Sequence, residues 1–375
     1  MRLLRVQVPE FRALKDVDIS FEPDFTPQVF PLGSLNGGGK STLLQLIFVL
    51  LSYNPKSTNN YIEKIYSELN YYGDEIKTLA VISLWDDENN ENYIFEYFYS
   101  NSSKIHNMMN EDYNPDKKLV NFVKSQLYFN VLSIFHFNYE CNNSENNKKL
   151  QKAFEDIGKK VFLISPSNQP YIFLPREEKR LLFTPNREKT YEQVLRSIKV
   201  SLPNFYTYDF INQLKNILIS AAEYDLEMRI DTGNWGTKSD DLIKTVNSFF
   251  VDGKKIKDLT LEQKKKPNEL ITEIKFTLPS GQEIYFEDLS HGELKRLSIF
   301  VLLKHHDTNH NIENSIVLMD EIENGFHLDW QYTIVRNLVE WGKNNQYILA
   351  THSYELCTAV TPAHVKEIEP KLTAK

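Results

Sequence analysis

The sequence predicts an α/β fold built around a strand, a glycine-rich loop and a helix. Three stretches point to it. Val29 to Leu32 is a short apolar strand that runs into small, turn-prone residues from Gly33 to Gly39. Lys40, Ser41 and Thr42 follow, and then a mostly apolar helix from Leu43 to Leu50. Far along the chain, the apolar strand Ile316 to Met319 ends in Asp320 and Glu321, and the strand Tyr347 to Ala350 ends in Thr351, His352 and Ser353. Strand, glycine loop and helix in that order are the context of a phosphate-binding loop.

The chemistry asks for each residue type. Asn36, Gly37, Gly38 and Gly39 let the backbone curl so that several N–H groups point at phosphate oxygens. The amino end of the following helix adds a favourable partial charge. Lys40 is expected to reach the β and γ phosphates of ATP, with Ser41 on Mg2+ and Thr42 completing the loop. Ser34 stands six residues before Lys40, where the strict pattern has glycine. Asp320 is expected beside the Mg2+, and Glu321 against the water that attacks the γ phosphate. His352 is placed to donate a hydrogen bond to that phosphate. Ser290 and Gly292, in Leu289 to Glu293, precede an amphipathic helix and offer a hydroxyl and a bare N–H to an anion.

Taken in order, Leu3 to Val8 and Lys15 to Phe21 alternate as strands. Tyr61 to Leu69 reads as a short helix, and Thr78 to Trp85 and Tyr93 to Tyr99 as a hairpin across the polar run Asp86 to Asn92. From Asn101 to Lys160 the pattern turns polar and helical, with an apolar stripe over Leu119 to Phe137 and a loop at Cys141 to Lys149. Val161 to Ile164 and Tyr171 to Leu174 read as short strands, Phe205 to Met228 as helix, and Asp240 to Phe250 as an amphipathic helix after a glycine turn. Ile271 to Leu278 and Glu283 to Phe286 form a hairpin. The expected layout is a nucleotide-binding lobe from residues 1–100 and 270–375, with 101–269 as an inserted, largely helical lobe.

Composition bounds the partners. With 43 basic and 51 acidic residues, the net charge of −8 gives no overall cationic field for nucleic acid. A local contact remains open at Lys254, Lys255 and Lys264 to Lys266. Two cysteines, Cys141 and Cys357, make neither a disulfide framework nor a metal cluster by themselves. Neither a signal-peptide core nor a membrane span is evident, so a cytoplasmic protein is expected.

Together the motifs resemble the ABC-type ATPase head shared by the SMC, RecF and OLD-like proteins and by the Rad-type DNA-repair ATPases. The stretch from Gly33 to Thr42 resembles Walker A, and Leu289 to Glu293 the ABC signature. Ile316 to Glu321 resembles Walker B with its catalytic glutamate, and Thr351 to Ser353 the switch histidine. The phrase Phe11-Arg12-Ala13-Leu14 before a strand also fits the group, and the run from Asp320 to Gln331 resembles stand-alone OLD-like ATPases of bacterial defence systems. The resemblance implies a P-loop NTPase of ABC head type that hydrolyses ATP with Mg2+ as a dimer or larger homo-oligomer. Ser290 and Gly292 of one copy then close over the nucleotide held by Lys40 of another. It also implies a glutamine loop, for which Gln169 and Gln126 are open alternatives. Lys40 and Ser290 are 250 residues apart, a spacing that suits a head with an inserted lobe better than a transporter subunit. No nuclease domain follows His352, so a nuclease or toxin effector is expected on another polypeptide. Three readings follow: a switch for such an effector in anti-phage defence, a DNA-repair ATPase, and a nucleotide-gated scaffold that holds a toxin with little turnover.

Overall fold

A computed structural model describes residues 1–34, 37–52, 77–88, 90–99, 126–131, 152, 154–184, 188–208, 211–250, 252–257, 264–265, 275–304, 312–342 and 344–368. In chain order the strands and helices are β1 (Arg2–Phe11), β2 (Leu14–Ser20), β3 (Val29–Gly33), α1 (Lys40–Leu51), β4 (Lys77–Asp86), β5 (Glu91–Tyr99), β6 (Gln126–Val131) and β7 (Val161–Ser165). There follow α2 (Arg176–Arg180), α3 (Tyr191–Ser201), β8 (Phe205–Thr207), α4 (Ile211–Thr232), α5 (Lys238–Phe249), β9 (Lys255–Ile256), β10 (Lys275–Thr277) and β11 (Glu283–Tyr285). The last are α6 (His291–Lys304), β12 (Ile316–Asp320), α7 (Leu328–Trp341), β13 (Gln346–Ala350), α8 (Tyr354–Thr358) and β14 (Lys366–Glu367).

The chain divides into two compact units. Unit 1 comprises Met1–Tyr206, Asn314–Ile322 and Asn345–Lys375; unit 2 comprises Thr207–Glu313 and Glu323–Asn344. In unit 1, β1 and β2 form a hairpin in a sheet of order β2-β1-β4-β5-β6. A second sheet runs β14-β3-β13-β12-β7-β8, and its pairs β3 with β13, β13 with β12, and β12 with β7 are parallel. These central strands are wholly apolar on both faces or nearly so, the composition of strands covered on two sides. From Leu43 on, helix α1 is apolar on every side but for Gln45, because it is covered all round: it packs on β7, β12 and β13, while Tyr97 of β5 donates to the Leu50 carbonyl at its far end, 3.0 Å away.

Polar side chains complete the core of unit 1. Gln45, inside α1, accepts from the Ile172 N–H at 2.8 Å. Gln346 of β13 is 1% exposed; its Oε1 accepts from Leu3 N at 2.7 Å and its Nε2 donates to Leu3 O at 3.0 Å. That single amide ties the parallel sheet to β1 of the five-stranded one.

In unit 2 the start of α5 has no side-chain cap of its own. Asp225, fully buried on α4, supplies it, accepting from Lys238 N and Ser239 N at 2.9 Å each and from the Ser239 hydroxyl at 2.5 Å. Gly236 is required there, since a Cβ would meet an Asp225 oxygen at 2.4 Å. A three-stranded sheet of order β11-β10-β9 contains the expected hairpin.

Several expectations change. Tyr171 to Leu174 is a buried turn, closed by Leu174 N on Tyr171 O and flanked by Pro170 and Pro175. Four apolar residues do not by themselves separate a strand from such a turn. Phe205 to Thr207 is strand before the helix begins, with Phe205 and Thr207 buried on one face. Gln126 to Val131, inside the stripe read as helical, pairs parallel with β5. Residues 152–206 lie in unit 1, not in a separate lobe, because β7 pairs with β12 in the sheet core. Residues 275–313, placed by sequence with the nucleotide-binding lobe, lie in unit 2. Tyr61 to Leu69 and Cys141 to Lys149 lie outside the described residues.

Replacing Gln346 by leucine strands the Leu3 donor and acceptor in the core. An unmet buried polar group costs about 1–3 kcal/mol, so Gln346→Leu is expected to destabilise the protein by roughly 2–5 kcal/mol in denaturant unfolding. A loss below about 1 kcal/mol would show that the amide clamp is not structural.

Candidate functional site

The parallel pairing sets the site. Leu32 is level with Ala350, and Ala350 with Asp320, so β3, β13 and β12 end side by side. Beyond β3 the loop turns through Gly37 and Gly39, with φ of 82° and 91°, left-handed values natural only to glycine. Gly39 is the N-cap of α1 and brings no side-chain cap, the setting in which a helix start receives an anion on its first-turn N–H groups. The β1–β2 hairpin packs against this loop: a Cβ on Gly39 would lie 2.6 Å from Leu14 Cδ2 and 3.7 Å from Ala13 Cβ. Arg12, at φ 56°, stands in that hairpin turn.

Lys40 is 6% exposed, and its ammonium donates to Ser34 O at 2.9 Å and Ser34 Oγ at 3.2 Å. His352 Nδ1 lies 3.4 Å from the same ammonium. Ser34, at the usual glycine position, is thus a partner of the lysine. The Ser41 hydroxyl donates to Asp320 Oδ1 at 3.0 Å across 279 residues of sequence, and Asp320 is 1% exposed. A hydroxyl and a carboxylate are hard oxygen donors of the kind Mg2+ takes, so the pair fits that ion. Glu321 is left-handed at φ 48°, held by its N–H on Ala350 O at 2.9 Å. A non-glycine residue in that conformation stores strain, and such strain collects at functional sites. Lys40, Ser41, Asp320 and His352 are therefore brought together, with Glu321 next in chain. Thr42 is half-buried beside Ser41, Gly38 lies in the loop, and Asn36 lies outside the described residues.

Beyond β7, the neighbour of β12, the turn from Ser165 to Pro170 carries Gln169. Tyr191 donates its hydroxyl to Gln169 O at 2.5 Å, and the Tyr171 hydroxyl is bonded to Pro166 O and lies 3.0 Å from Ser165 Oγ. Burial pushes the Tyr191 phenol up to about 12 and Tyr171 higher still, so both stay neutral donors. The two tyrosines fix the turn at the strand end next to Asp320. Gln126 lies instead in β6 of the other sheet.

In unit 2, Ser290 and Glu293 form reciprocal bonds at the start of α6. Glu293 N donates to Ser290 Oγ at 3.3 Å, and Glu293 Oε2 accepts from Ser290 N at 3.0 Å and from its hydroxyl at 2.7 Å. Gly292 has a packing reason to be glycine: a Cβ there would lie 2.5 Å from Gly325 O and 2.9 Å from the Trp330 ring. Gly325, at φ 83°, is in turn filled by His291, whose Nδ1 would lie 2.5 Å from an added Cβ. Two lysines of the expected basic patch are paired. Lys254 pairs with Glu293 and with Asp252 at 2.7 Å, and Lys264, 7% exposed, pairs with Asp240 at 2.8 Å. Lys255 and Lys265 are exposed, and Lys266 lies outside the described residues.

The loop geometry makes a prediction. Gly39→Ala places a Cβ at left-handed φ and forces Leu14 aside, at a cost of at least about 1–2 kcal/mol. ATP affinity measured by calorimetry is expected to fall about tenfold or more, while the circular dichroism spectrum stays that of the parent. Unchanged affinity would exclude this loop from the site.

Residues 35–358 match the family described as "AAA domain, putative AbiEii toxin, Type IV TA system". The chain is similar to the "Retron Vc95 probable ATPase" of Vibrio cholerae serotype O1 biovar El Tor, 36% identical over an alignment of 103 residues that covers 24% of this chain and 19% of that protein. The chain thus spans about a fifth of the length of the curated relative it matches. Among solved structures it is similar to an SMC head bound to the C-winged helix domain of ScpA, at 12% identity and a TM-score of 0.46, covering 96% of this chain and 93% of that one. It is similar also to RecF with ATPγS, at 14% identity and a TM-score of 0.34, covering 95% and 94%. No helix among the described residues is long and apolar enough to cross a membrane. With most of its length matched and its phosphate loop, strand-end carboxylates and histidine at one sheet end, the chain belongs to this AAA-domain family of P-loop ATPases.

Proposed function

We propose that the chain is an ATP-hydrolysing switch whose nucleotide-dependent pairing with a second copy controls a separate effector, a toxin or nuclease, in bacterial defence. The observation that carries this reading is the convergence of Lys40, Ser41, Asp320 and His352 at the ends of three parallel strands. The family description and the retron ATPase support the defence setting. The inward ion pairs of Lys254 and Lys264 give the DNA-repair reading no support.

Each residue then has a task. The left-handed glycines and the start of α1 receive the phosphates on backbone N–H groups. Lys40 places its ammonium on the β and γ phosphates. Ser41 and Asp320 hold Mg2+, which when bound offsets phosphate charge in the transition state. Accepting from Lys40 on Nδ1 leaves the His352 proton on Nε2, so the ring presents a donor to the γ phosphate. Glu321, displaced from the strand line by its left-handed backbone, orients the attacking water and accepts its proton. The products are ADP and phosphate. Ser290 and Gly292 meet the γ phosphate of a partner copy, so that hydrolysis removes the bridge between copies and releases a change the effector reads.

Two variants separate binding from chemistry. Lys40→Ala is expected to weaken ATP binding. Glu321→Gln is expected to bind ATP as the parent does and to lower kcat about 10²–10⁴-fold, the usual share of a positioned acid–base group. An unchanged kcat in Glu321→Gln would remove the catalytic assignment.

A further inference from the structure

The start of α6 poses an electrostatic difficulty. Ser290 must turn its hydroxyl toward an incoming phosphate, yet that hydroxyl donates to Glu293 Oε2 at 2.7 Å. A carboxylate one hydroxyl away from a γ phosphate repels it, and the repulsion grows as closure excludes water. Glu293 is half-buried, and burial alone would raise its carboxyl; bonds from Lys254 and Ser290 outweigh this and hold it below the usual carboxylate range. It is therefore ionised at neutral pH.

Lys254 answers that charge. It lies just before β9, far from α6 in sequence, and its side chain is only 16% exposed. Its ammonium bonds Glu293 Oε1, and Asp252 Oδ2 at 2.7 Å holds it from the other side. The two oxygens of Glu293 are thus divided, Oε1 to the lysine and Oε2 to Ser290. A cation on Oε1 draws charge away from Oε2 and lowers the cost of turning the Ser290 hydroxyl from Oε2 to another acceptor.

We infer that Lys254 is a positioning residue for hydrolysis: by pairing with Glu293 it offsets the carboxylate charge behind Ser290, which frees the Ser290 hydroxyl to donate to a partner copy's γ phosphate. The inference rests on the trans role of Ser290 proposed above. It also gives the lysine a task other than nucleic-acid contact.

The test is ATP turnover of the full chain in four variants, with ATP affinity measured beside it. Lys254→Ala is expected to lower kcat about tenfold, the scale of one charge-assisted bond, with ATP affinity unchanged. Lys254→Arg, which keeps the cation, is expected to stay within about threefold of the parent. The double variant Lys254→Ala/Glu293→Gln, in which no bare carboxylate is left behind Ser290, is expected to recover most of the lost turnover. Ser290→Arg is the reference for the trans reading and is expected to abolish turnover. If Ser290→Arg is active, the trans reading itself fails. If Ser290→Arg is inactive but Lys254→Ala turns over as the parent does, or the double variant stays as slow as Lys254→Ala, the role of Lys254 alone is overturned. Because the double variant lacks the ion pair altogether, its recovery also excludes loss of folding as the cause.

Discussion

The parallel pairing of β3, β13 and β12 is the constraint on which the rest of the molecule depends. It brings Ser41 and Asp320, 279 residues apart, within one hydrogen bond, and sets His352 against Lys40. No local feature could do this. Parallel strands need long crossovers, and here the chain leaves unit 1 after Ile322 and re-enters it at Asn345 between neighbouring strands. Each departure from the sheet carries sequence that can do other work. The run from Glu323 to Asn344, with α7, belongs to unit 2, which also holds Ser290. A change at Glu321 is therefore two residues from the other unit along the backbone.

Buried polar groups keep this arrangement from sliding. Gln346 fastens β13 to β1, Gln45 fastens α1 to the turn at Ile172, and Asp225 caps α5 from α4. Each is met by a partner of fixed geometry, so each specifies one register where an apolar side chain would tolerate several. The phosphate loop is constrained in the same way by contact. Gly39 leaves no room for a side chain beside Leu14, and Lys40 is held by Ser34 and His352.

Much of this was legible in the sequence because the site lies at strand ends. A short apolar run followed by Gly, Lys and Ser, by Asp and Glu, or by Thr, His and Ser carries both the strand and the chemistry, and β3, β12 and β13 fall where the pattern puts them. The hairpins were legible from alternation. What failed were apolar runs without a period to arbitrate them. Tyr171 to Leu174 is as buried as a strand but bends between two prolines, and Phe205 to Thr207 is a three-residue strand running into a helical pattern. Unit boundaries failed for a different reason. The pairing of β7 with β12 is long-range, and nothing in residues 101–160 announces that Val161 returns to the central sheet. In the lysine run the sequence shows charge and hides its partner: Asp240 and Glu293 lie 24 and 39 residues along the chain from Lys264 and Lys254. Gly292 shows the same limit, since the Gly325 carbonyl and the Trp330 ring that exclude a side chain there are visible only in the fold.

In the proposed mechanism one active site is built from two copies, with Lys40, Asp320 and Glu321 from one and Ser290 from the other. Subunit mixing tests it most directly. Lys40→Ala and Ser290→Arg chains, each inactive alone, are combined, and ATP hydrolysis is followed while native mass spectrometry reports the mixed species. Mixed dimers contain one intact composite site, and hydrolysis is expected to recover in part, in proportion to their abundance. Mixed dimers that form in quantity and hydrolyse no ATP would contradict it.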